Sequence, residues 1–398
     1  MQVLVLGGGF TGCCIGKLLC DEGHQVTLLE QKDVLGGMAR TYYKDGFSYE
    51  HGPHILANHN CSQKAIDFIE SLVDTVPISV FVATNLFGQR VSFPPHKDDF
   101  NLFAKSAQKQ IRAELTKKPK QLDESNFETY LKSALGPTVY DLYYKHFTER
   151  FWADKASNLS AEWCKIRKMG EINTGERQFF KGTWCTYPKN GFNSIYEKLT
   201  QHFKVVYNKK AVNIVEATGA VFCKDGSKYE ADLIISTISI DDLFTNICGA
   251  LQYRGYEVEA EILEQPNYFP ITPFRENVRY SWEYFPDEET PFLRVTEPKN
   301  FGGTCSDPNK TLIIKEYPTN KRHYPFHDTV NQQRFENYLV CSLLFSKVIS
   351  LGRLGLYKYQ TVDSTIDQCF TTMKYITHWA SMSALARHEA YKDIRKQS

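Results

Sequence analysis

Residues 1–12 read MQVLVLGGGFTG, an apolar run that leads directly into a glycine-rich segment. Gly7 permits a tight turn from strand to helix, and Gly9 lets the backbone approach a pyrophosphate. Gly12 allows the following helix to pack closely on the strand, and the N-terminus of that helix faces the phosphates. The segment therefore predicts a nucleotide-binding βαβ unit at the start of the chain.

A second apolar strand is predicted at 25–29, which reads QVTLL and ends at Glu30. This acidic residue follows the glycines by about twenty positions, where a carboxylate accepts hydrogen bonds from ribose hydroxyls. The combined pattern indicates a dinucleotide site. The alternative is a charged residue that only ends a strand.

The segment 32–41, KDVLGGMART, indicates which dinucleotide is bound. It resembles the glycine doublet that follows the second strand in flavoproteins of the glutathione-reductase and amine-oxidase type. In that resemblance Gly36 and Gly37 let the backbone approach the flavin end, and Arg40 reaches the pyrophosphate. We therefore predict FAD, against the alternative of a glycine turn with a solvated arginine.

Composition limits the remaining function classes. The chain has 398 residues, 42% of them hydrophobic and 23% charged, which is ordinary for a globular protein of two or three domains. A net charge of +1 favours neither nucleic acid nor an anionic membrane as a partner. The chain begins with a strand, and no apolar run approaches about eighteen residues. We predict a cytoplasmic protein without a membrane segment.

The eleven cysteines show neither CxxC nor metal-ligand spacing, and their number is odd. They are predicted to be reduced thiols, and no metal site is predicted. A disulfide-reductase type of flavoenzyme would need two closely spaced cysteines near the flavin, and none follow the glycine segment.

Hydrophobic periodicity predicts an α/β fold. The flavin domain is Rossmann-like and discontinuous, and a helical domain and an antiparallel β-sheet domain are inserted into it. The predicted segments are 1–75, 195–250 and 340–398 for the FAD-binding domain, 100–175 for the helical substrate domain, and 76–99, 176–194 and 251–339 for the antiparallel sheet and lid region.

Seven further segments match one family, nearly end to end and in order. They are YEHGPHI (49–55), FTERFWA (147–153), YPKNGF (187–192), PFLRVTEPKNF (291–301), KEYP (315–318), HYP (323–325) and LGRLGLYKY (351–359). The chain resembles the UDP-galactopyranose mutases, flavoenzymes that interconvert the six-membered and five-membered ring forms of a nucleotide sugar.

This resemblance implies an isomerase in which N5 of reduced FAD attacks the anomeric carbon of the sugar and the flavin ends unchanged. It implies NAD(P)H or another donor as reductant, a homodimer, and a place in cell-surface polysaccharide biosynthesis through galactofuranose. The substrate implied is UDP-galactopyranose or a related nucleotide hexose.

The resemblance also assigns polar roles. Arg294 is the diphosphate clamp, and the phenols of Tyr324 and Tyr359 donate to the same diphosphate. Arg353 lies beside the reduced flavin and offsets its negative charge, while His54 contacts the flavin and tunes N5. Each assignment has an alternative. Arg294 could be a solvated arginine on a strand, and Tyr324 and Tyr359 could be core residues. Arg353 could have only a structural role, and His54 could be a core histidine.

Other positions carried over from the family line the substrate and the cofactor. The substrate residues are Phe151, Trp152, Phe180 and Trp184 around the uracil, with Lys315 and Tyr317 in the KEYP segment. The cofactor residues are Gly7, Gly9, Phe10, Thr11, Gly12, Glu30, Gln31, Gly36, Gly37, Met38, Ala39, Arg40, His54, Val205, Gly352, Arg353 and Val362. Residues 174–186 resemble a mobile lid whose closure excludes water.

The sequence departs from the family at the substrate side. The second clamp arginine falls near Ile172, so that charge is missing unless Arg167 or Arg177 replaces it. Thr361 stands where the family has an acidic residue, and Lys315 replaces an arginine, which keeps a charge but loses the bidentate fork. We therefore predict a mutase of a nucleotide sugar and leave two alternatives open: UDP-galactose itself, or a sugar that differs from it, such as an altered hexose, a deoxy sugar or another nucleotide.

Two other classes remain open. An oxidoreductase of the amine-oxidase or desaturase type shares the N-terminal motifs but leaves the Arg294 segment unexplained. A flavin-containing protein that binds a nucleotide sugar without catalysis is the third possibility.

Overall fold

The computed structural model describes residues 1–58, 61–180 and 184–396. Its strands, in chain order, are β1 (Gln2–Leu6), β2 (Gln25–Leu29), β3 (Thr41–Lys44), β4 (Phe47–Glu50), β5 (Leu56–Ala57), β6 (Thr75–Pro77), β7 (Val82–Leu86), β8 (Gln89–Ser92), β9 (Cys185–Pro188), β10 (Lys204–Val206), β11 (Ala211–Val215), β12 (Ala220–Cys223), β13 (Lys228–Glu230), β14 (Leu233–Ser236), β15 (Tyr253–Leu263), β16 (Trp282–Tyr284), β17 (Arg294–Thr296), β18 (Thr311–Pro325) and β19 (Val348–Ser350).

The α-helices of the same ranges are α1 (Phe10–Asp21), α2 (Gln63–Leu72), α3 (Lys105–Leu115), α4 (Phe127–Leu135), α5 (Pro137–Tyr140), α6 (His146–Trp152), α7 (Glu162–Ile166), α8 (Asn193–Thr200), α9 (Ile240–Leu243), α10 (Thr329–Ser342), α11 (Gly352–Gly355), α12 (Val362–Met373) and α13 (Ala384–Lys396). A π-helical turn, Asp141–Lys145, joins α5 to α6.

A five-stranded parallel sheet carries the nucleotide-binding turn. Its strand order is β10-β2-β1-β14-β19, so three widely separated parts of the chain meet in one sheet. The central strand is β1, where Val5 pairs with Leu28 of β2 on one side and Ile235 of β14 on the other. All these strands end at one edge, which is where ligands bind in open parallel sheets. The predicted α/β class with a Rossmann-like sheet is confirmed.

A second, six-stranded sheet has the order β15-β18-β17-β16-β7-β8 and is antiparallel except where β16 pairs with β7. β9 does not join this sheet, because it pairs with β5 and β6 in a small separate sheet. An irregularity interrupts the long β15–β18 pairing. Arg254 faces Tyr324 but the next residue, Gly255, faces Thr319, so 320–323 form a bulge in β18.

Residues 105–166 hold α3 to α7, which pack around an aromatic and aliphatic core. Asn126 caps α4 in a reciprocal capping box with Thr129. Gly136 ends α4 with φ of +83°, and Pro137 begins α5, so the helical segment is interrupted at these two residues.

Within the three described ranges, no helix combines the length and the apolarity that crossing a membrane requires. The same residues contain no group of three or more His, Cys, Asp or Glu side chains placed to hold a metal ion.

Candidate active site

The glycine turn after β1 forms one wall of the site. Gly7 has φ of +102°, and a Cβ there would lie 2.4 Å from Oγ1 of Thr237. A Cβ on Gly12 would lie 1.9 Å from the carbonyl oxygen of Gly7, so α1 packs against the turn only because position 12 has no side chain. A Cβ on Gly9, in contrast, would meet no atom within 4 Å. Gly9 therefore presents open backbone at the N-terminus of α1.

The glycine doublet lies directly against this turn. Gly36 forms a parallel bridge with Gly9, and its N–H donates to the carbonyl of Gly8 at 2.8 Å. A Cβ on Gly37 would lie 3.1 Å from Cα of Gly9. Both glycine segments thus line the same open edge of the parallel sheet, although 23 residues lie between Gly12 and Gly36 in the sequence.

Glu30 is held at the end of β2 by two backbone amides. Its Oε2 accepts from the N–H of Gly8 at 2.7 Å, and its Oε1 accepts from the N–H of Lys32 at 2.8 Å. Each carboxylate oxygen has a further lone pair for a ribose hydroxyl. Val205 lies beside this end of the sheet, where β10 pairs with β2, while Gln31 is exposed.

The residues after the doublet continue along this edge. The carbonyl of Ala39 accepts a hydrogen bond from Tyr196 at 2.6 Å, and Met38 is half-buried. The guanidinium of Arg40 lies 4.9 Å from the ring centre of Tyr42.

A third segment, from the C-terminal part of the chain, lies against the two glycine segments. Together the three segments form a surface that we call the cradle. Gly352 has φ of +81°, and a Cβ there would lie 2.7 Å from Oγ1 of Thr11. α12 begins nearby at Val362, and Thr361 caps it in a reciprocal box with Ser364. Thr361, which stands where the family has an acid, therefore serves as a helix cap. The open glycine backbone, Glu30 and these two helix N-termini fit a flavin dinucleotide.

Arg294 and Glu316 form a buried ion pair at the start of β17. Nε and Nη2 of Arg294 lie 2.7 and 2.5 Å from Oε2 of Glu316. Arg294 is 8% exposed and Glu316 is 0% exposed. The guanidinium also lies 5.2 Å from the ring centre of Tyr256 and 5.7 Å from that of Tyr284. Burial raises the pKa of Glu316, and the charge of Arg294 opposes this shift.

Two stacked phenols lie between a further arginine and this pair. The rings of Tyr324 and Tyr359 stack at 5.8 Å with an interplanar angle of 16°. The guanidinium of Arg353 lies 5.3 and 5.1 Å from the two ring centres. It also donates to the carbonyls of His323, at 3.1 Å, and of Gln360.

Arg167 brings another cation to the same phenols. Its Nη1 donates to the hydroxyl of Tyr359 at 2.5 Å, and its guanidinium lies 5.2 Å from that ring. It interacts electrostatically with Tyr284 and Tyr324 and is repelled by Arg294. The cluster therefore contains three arginines and several phenols, drawn from β17, α11 and the turn after α7.

Arg177, the other predicted replacement, lies elsewhere. Its Nη1 pairs with Asp99 at 2.5 Å and donates to Ser92 at 2.7 Å. Of the two predicted replacements for a charge near Ile172, Arg167 therefore lies beside Tyr359, whereas Arg177 pairs with Asp99.

His54 belongs to the same centre. Burial, together with the charges of Arg353 and Arg294, lowers the pKa of His54 to about 3. The imidazole is therefore neutral near pH 7. Its ring contacts Phe192 at 5.8 Å.

The predicted aromatic residues divide into two groups. Phe151 contacts Tyr256 at 5.0 Å and Tyr324 at 5.6 Å, so it borders the arginine cluster. Trp152 packs against Trp163 at 5.4 Å and lies 2% exposed in the helical core.

The remaining two aromatic residues flank residues 181–183, which lie outside the described ranges, as does that part of the predicted lid. Phe180 contacts Phe179 at 4.9 Å. Trp184 donates its indole N–H to Glu70 of α2 at 2.8 Å. Phe147, which the sequence did not single out individually, contacts Tyr284 at 4.8 Å and borders the cluster.

Lys315 and Tyr317 are corrected by the structure. They flank Glu316 on β18, and neighbouring side chains of a strand point to opposite faces. Lys315 pairs with Glu261 at 2.5 Å, and the hydroxyl of Tyr317 donates to Glu259 at 2.7 Å. Both side chains therefore lie on the outer face of the sheet, away from Arg294.

One supporting residue had no signal in the sequence. Nε of Arg254 donates to the carbonyl of Phe151 at 2.6 Å, and its Nη1 donates to Asn320 in the β18 bulge. This arginine joins the end of α6 to the bulge that precedes Tyr324. Only the tertiary pairing of β15 with β18 brings these three segments together.

Comparisons with known proteins identify the family and the fold. A family model described as UDP-galactopyranose mutase matches residues 142–359, and one described as flavin containing amine oxidoreductase matches residues 10–248. A probable UDP-galactopyranose mutase of Klebsiella pneumoniae is 23% identical, over 93% of this chain and 93% of its own length. A dTDP-fucopyranose mutase of Escherichia coli is 22% identical, over 92% of this chain and 96% of its own.

Among solved structures, that of reduced UDP-galactopyranose mutase superimposes with a TM-score of 0.78 at 16% identity, covering 100% of this chain and 98% of that chain. A putative protoporphyrinogen oxidase from Exiguobacterium gives a TM-score of 0.70 at 15% identity, covering 94% and 98%. Both likenesses concern the fold. Because the mutase model matches more than half of the sequence, the chain belongs to the UDP-galactopyranose mutase family, a family of flavoprotein isomerases.

Proposed function

We propose that this chain interconverts the pyranose and furanose forms of a nucleotide hexose, UDP-galactose or a relative of it, with FAD as cofactor. The observation that carries the proposal is a pair of guanidinium groups beside two stacked phenols: Arg167 donates to the hydroxyl of Tyr359, and Arg294 interacts electrostatically with Tyr324. Such a group of cations and hydroxyl donors matches the charge and the acceptors of a diphosphate.

Arg294 retains donors for a ligand. Its Nε and Nη2 contact one oxygen of Glu316, which leaves the Nη1 protons free for phosphate oxygens. The carboxylate fixes the orientation of the guanidinium, so little side-chain entropy is lost on binding. Arg167 and the two phenols contribute further donors, and together they stabilise the diphosphate as it leaves the anomeric carbon.

Arg353 and His54 act on the flavin side. When bound, reduced FAD supplies a nucleophilic nitrogen, N5, for the anomeric carbon. Arg353 places a positive charge at the end of the cradle, and this charge favours an anionic reduced ring. His54 is neutral and adds no competing charge. The proposal includes NAD(P)H or another donor as the source of electrons.

The test is an assay of the reduced protein. Purified protein with bound flavin is reduced anaerobically with dithionite and incubated with UDP-, dTDP- and GDP-hexopyranoses and with the corresponding furanoses. We expect ring interconversion of at least one of them, with no turnover by the oxidised form. If the reduced protein converts none of the panel, the proposal is wrong.

An oxidoreductase is the second candidate, because the amine oxidoreductase model matches residues 10–248. That candidate requires turnover by the oxidised protein, with oxygen uptake or reduction of another acceptor. It gives no role to the Arg294–Glu316 pair, which lies beyond the matched residues.

Arg167 provides a specific prediction. Replacing it with Met is expected to raise KM for the nucleotide sugar about 10- to 100-fold, because one charge-assisted contact to the diphosphate is lost. Lys315→Met is the matched control, since it removes the same charge from the outer face of the sheet. We expect its KM to stay within about twofold of the unmodified protein. Steady-state kinetics of the reduced variants measure both, and equal KM values for the two variants would contradict the assignment of Arg167.

A further inference from the structure

Side chains on one face of α10 form hydrogen bonds with the backbone of the segment that follows α9. The hydroxyl of Tyr338 donates to the carbonyl of Gly249 at 2.8 Å and accepts from the N–H of Cys248 at 3.3 Å. One turn earlier on the helix, Arg334 donates to the carbonyl of Ala250 at 3.0 Å. These contacts fix the backbone of the segment relative to the helix.

Two thiols lie at the next position along this row. Sγ of Cys248 and Sγ of Cys341 are 3.8 Å apart, and both residues are partly exposed. A disulfide bond is about 2.05 Å long, so the sulfur atoms must approach by roughly 1.8 Å. Rotation of two partly exposed side chains supplies such a movement, while the neighbouring hydrogen bonds keep the backbones in register. We propose that Cys248 and Cys341 form an oxidation site that a hydroperoxide converts into an intrachain disulfide.

The surroundings make this pair the preferred one. All eleven cysteines are free in the structure. Cys14 and Cys369 also interact, but both are fully buried in the core beneath the flavin cradle. Cys305 is exposed, but its thiol contacts the carbonyl of Asp307 and no second thiol. Cys248 and Cys341 therefore combine partial exposure to solvent with a short distance between their two sulfur atoms.

The reaction balances with the peroxide as the only oxidant. One thiol, as thiolate, attacks the peroxide oxygen and becomes a sulfenic acid, which releases one water from hydrogen peroxide. The second thiol then displaces the hydroxyl of the sulfenic acid, which forms the S–S bond and releases a second water. Two thiols lose two hydrogens and two electrons, and the peroxide gains them. Burial and the neighbouring thiol raise the pKa of Cys248, so oxidation is faster at alkaline pH.

The bond would also affect stability. Cys248 and Cys341 are 93 positions apart, so their disulfide closes a long loop and restricts the unfolded chain. We expect oxidation to raise Tm by about 5 °C.

The experiment compares the flavin-loaded protein before and after treatment with hydrogen peroxide at pH 8.5. Remaining thiols are blocked with N-ethylmaleimide in denaturant, and the tryptic peptides are analysed by mass spectrometry. Peptides 229–254 and 335–347 contain one cysteine each. We expect them to be linked with the loss of two hydrogens, to separate after treatment with dithiothreitol, and to be linked in Cys305→Ser but not in Cys341→Ser.

Thermal unfolding gives the second readout. The increase in Tm is expected in the unmodified protein and in Cys305→Ser and to be absent in Cys341→Ser. Alkylation of both Cys248 and Cys341 after peroxide treatment would overturn the proposal. A disulfide between two chains through Cys305, or a sulfinic acid at Cys248 without a cross-link, would overturn it equally.

Discussion

Replacement of Arg294 with Met is expected to lower kcat/KM of the reduced protein by about 10²- to 10³-fold, the loss typical of removing an aligned charged donor. The same change leaves Glu316 buried without its partner. Leaving one member of a buried ion pair unpaired reduces the free energy of unfolding by about 3–5 kcal/mol. Both effects follow from one guanidinium that pairs with Glu316 and that we propose contacts the diphosphate.

The loss of stability depends on pH. Without Arg294, burial alone acts on Glu316 and raises its pKa further above the ordinary value of 4.5. A carboxyl whose folded pKa exceeds its unfolded pKa favours the folded state less as pH rises above the unfolded value. The difference in unfolding free energy between Arg294→Met and the unmodified protein should therefore be small at pH 4 and grow toward pH 7.

A double variant separates the two roles of the arginine. In Arg294→Met/Glu316→Gln the buried charge is gone, so most of the lost stability should return. We expect kcat/KM to stay low, because the proposed contact of the Arg294 guanidinium with the diphosphate is missing and Arg167 alone remains. Denaturant unfolding at pH 4 and pH 7, together with kinetics of the reduced protein, measures both. If the double variant recovered stability and activity together, Arg294 would have only a structural role.

The parts of the site that the sequence predicted correctly are those encoded locally. The turn at Gly7 and the position of Glu30 after β2 follow from spacing along a single βαβ unit. Such features depend on backbone geometry within a few residues of the motif, and similar turns require similar residues. The segments around Arg294 and Arg353 were located in another way, by their resemblance to the motifs of a family. The bridge between Gly9 and Gly36 was found only in the structure.

The sequence misplaced residues whose position depends on the direction of a side chain or on pairing between distant parts of the chain. Lys315 and Tyr317 were both assigned to the substrate with their motif, yet the alternation along β18 places them opposite Glu316. Alternation alone predicts that Glu316 and its two neighbours occupy different faces, but choosing the face requires the pairing with β17. Arg167 reaches the cluster from a turn after α7, and Arg177 does not, a difference that no periodic pattern encodes.

Whole elements were missed for a related reason. α10 reads TVNQQRFENYLVCS and mixes polar and apolar residues around the helix, so its periodicity is weak. β13 is only three residues long and gains its partner from β12. Both elements are stabilised by tertiary contacts more than by their own sequence pattern.

A substitution in the glycine turn is expected to have the second large effect, a loss of flavin binding. Gly12→Ala is expected to abolish flavin binding, because its Cβ would overlap the carbonyl oxygen of Gly7 at 1.9 Å. Neither group can move freely, since α1 and β1 are both packed in the parallel-sheet core. The protein should purify without the flavin absorbance near 450 nm and unfold at a lower temperature than the flavin-free form of the unmodified protein.

Gly9→Ala tests the placement of the cofactor itself. Its Cβ would meet no protein atom within 4 Å, so the fold and the Tm of the flavin-free protein should be unchanged. If the pyrophosphate lies against Gly9, the methyl group occupies its place, and flavin affinity should fall at least about tenfold. Gly175→Ala is the matched control, because its Cβ also meets no atom within 4 Å and its carbonyl oxygen lies 3.0 Å from Nε2 of His96, outside the glycine turn. Titration of the three flavin-free proteins with FAD decides the question: equal affinities for Gly9→Ala and Gly175→Ala would place the dinucleotide elsewhere.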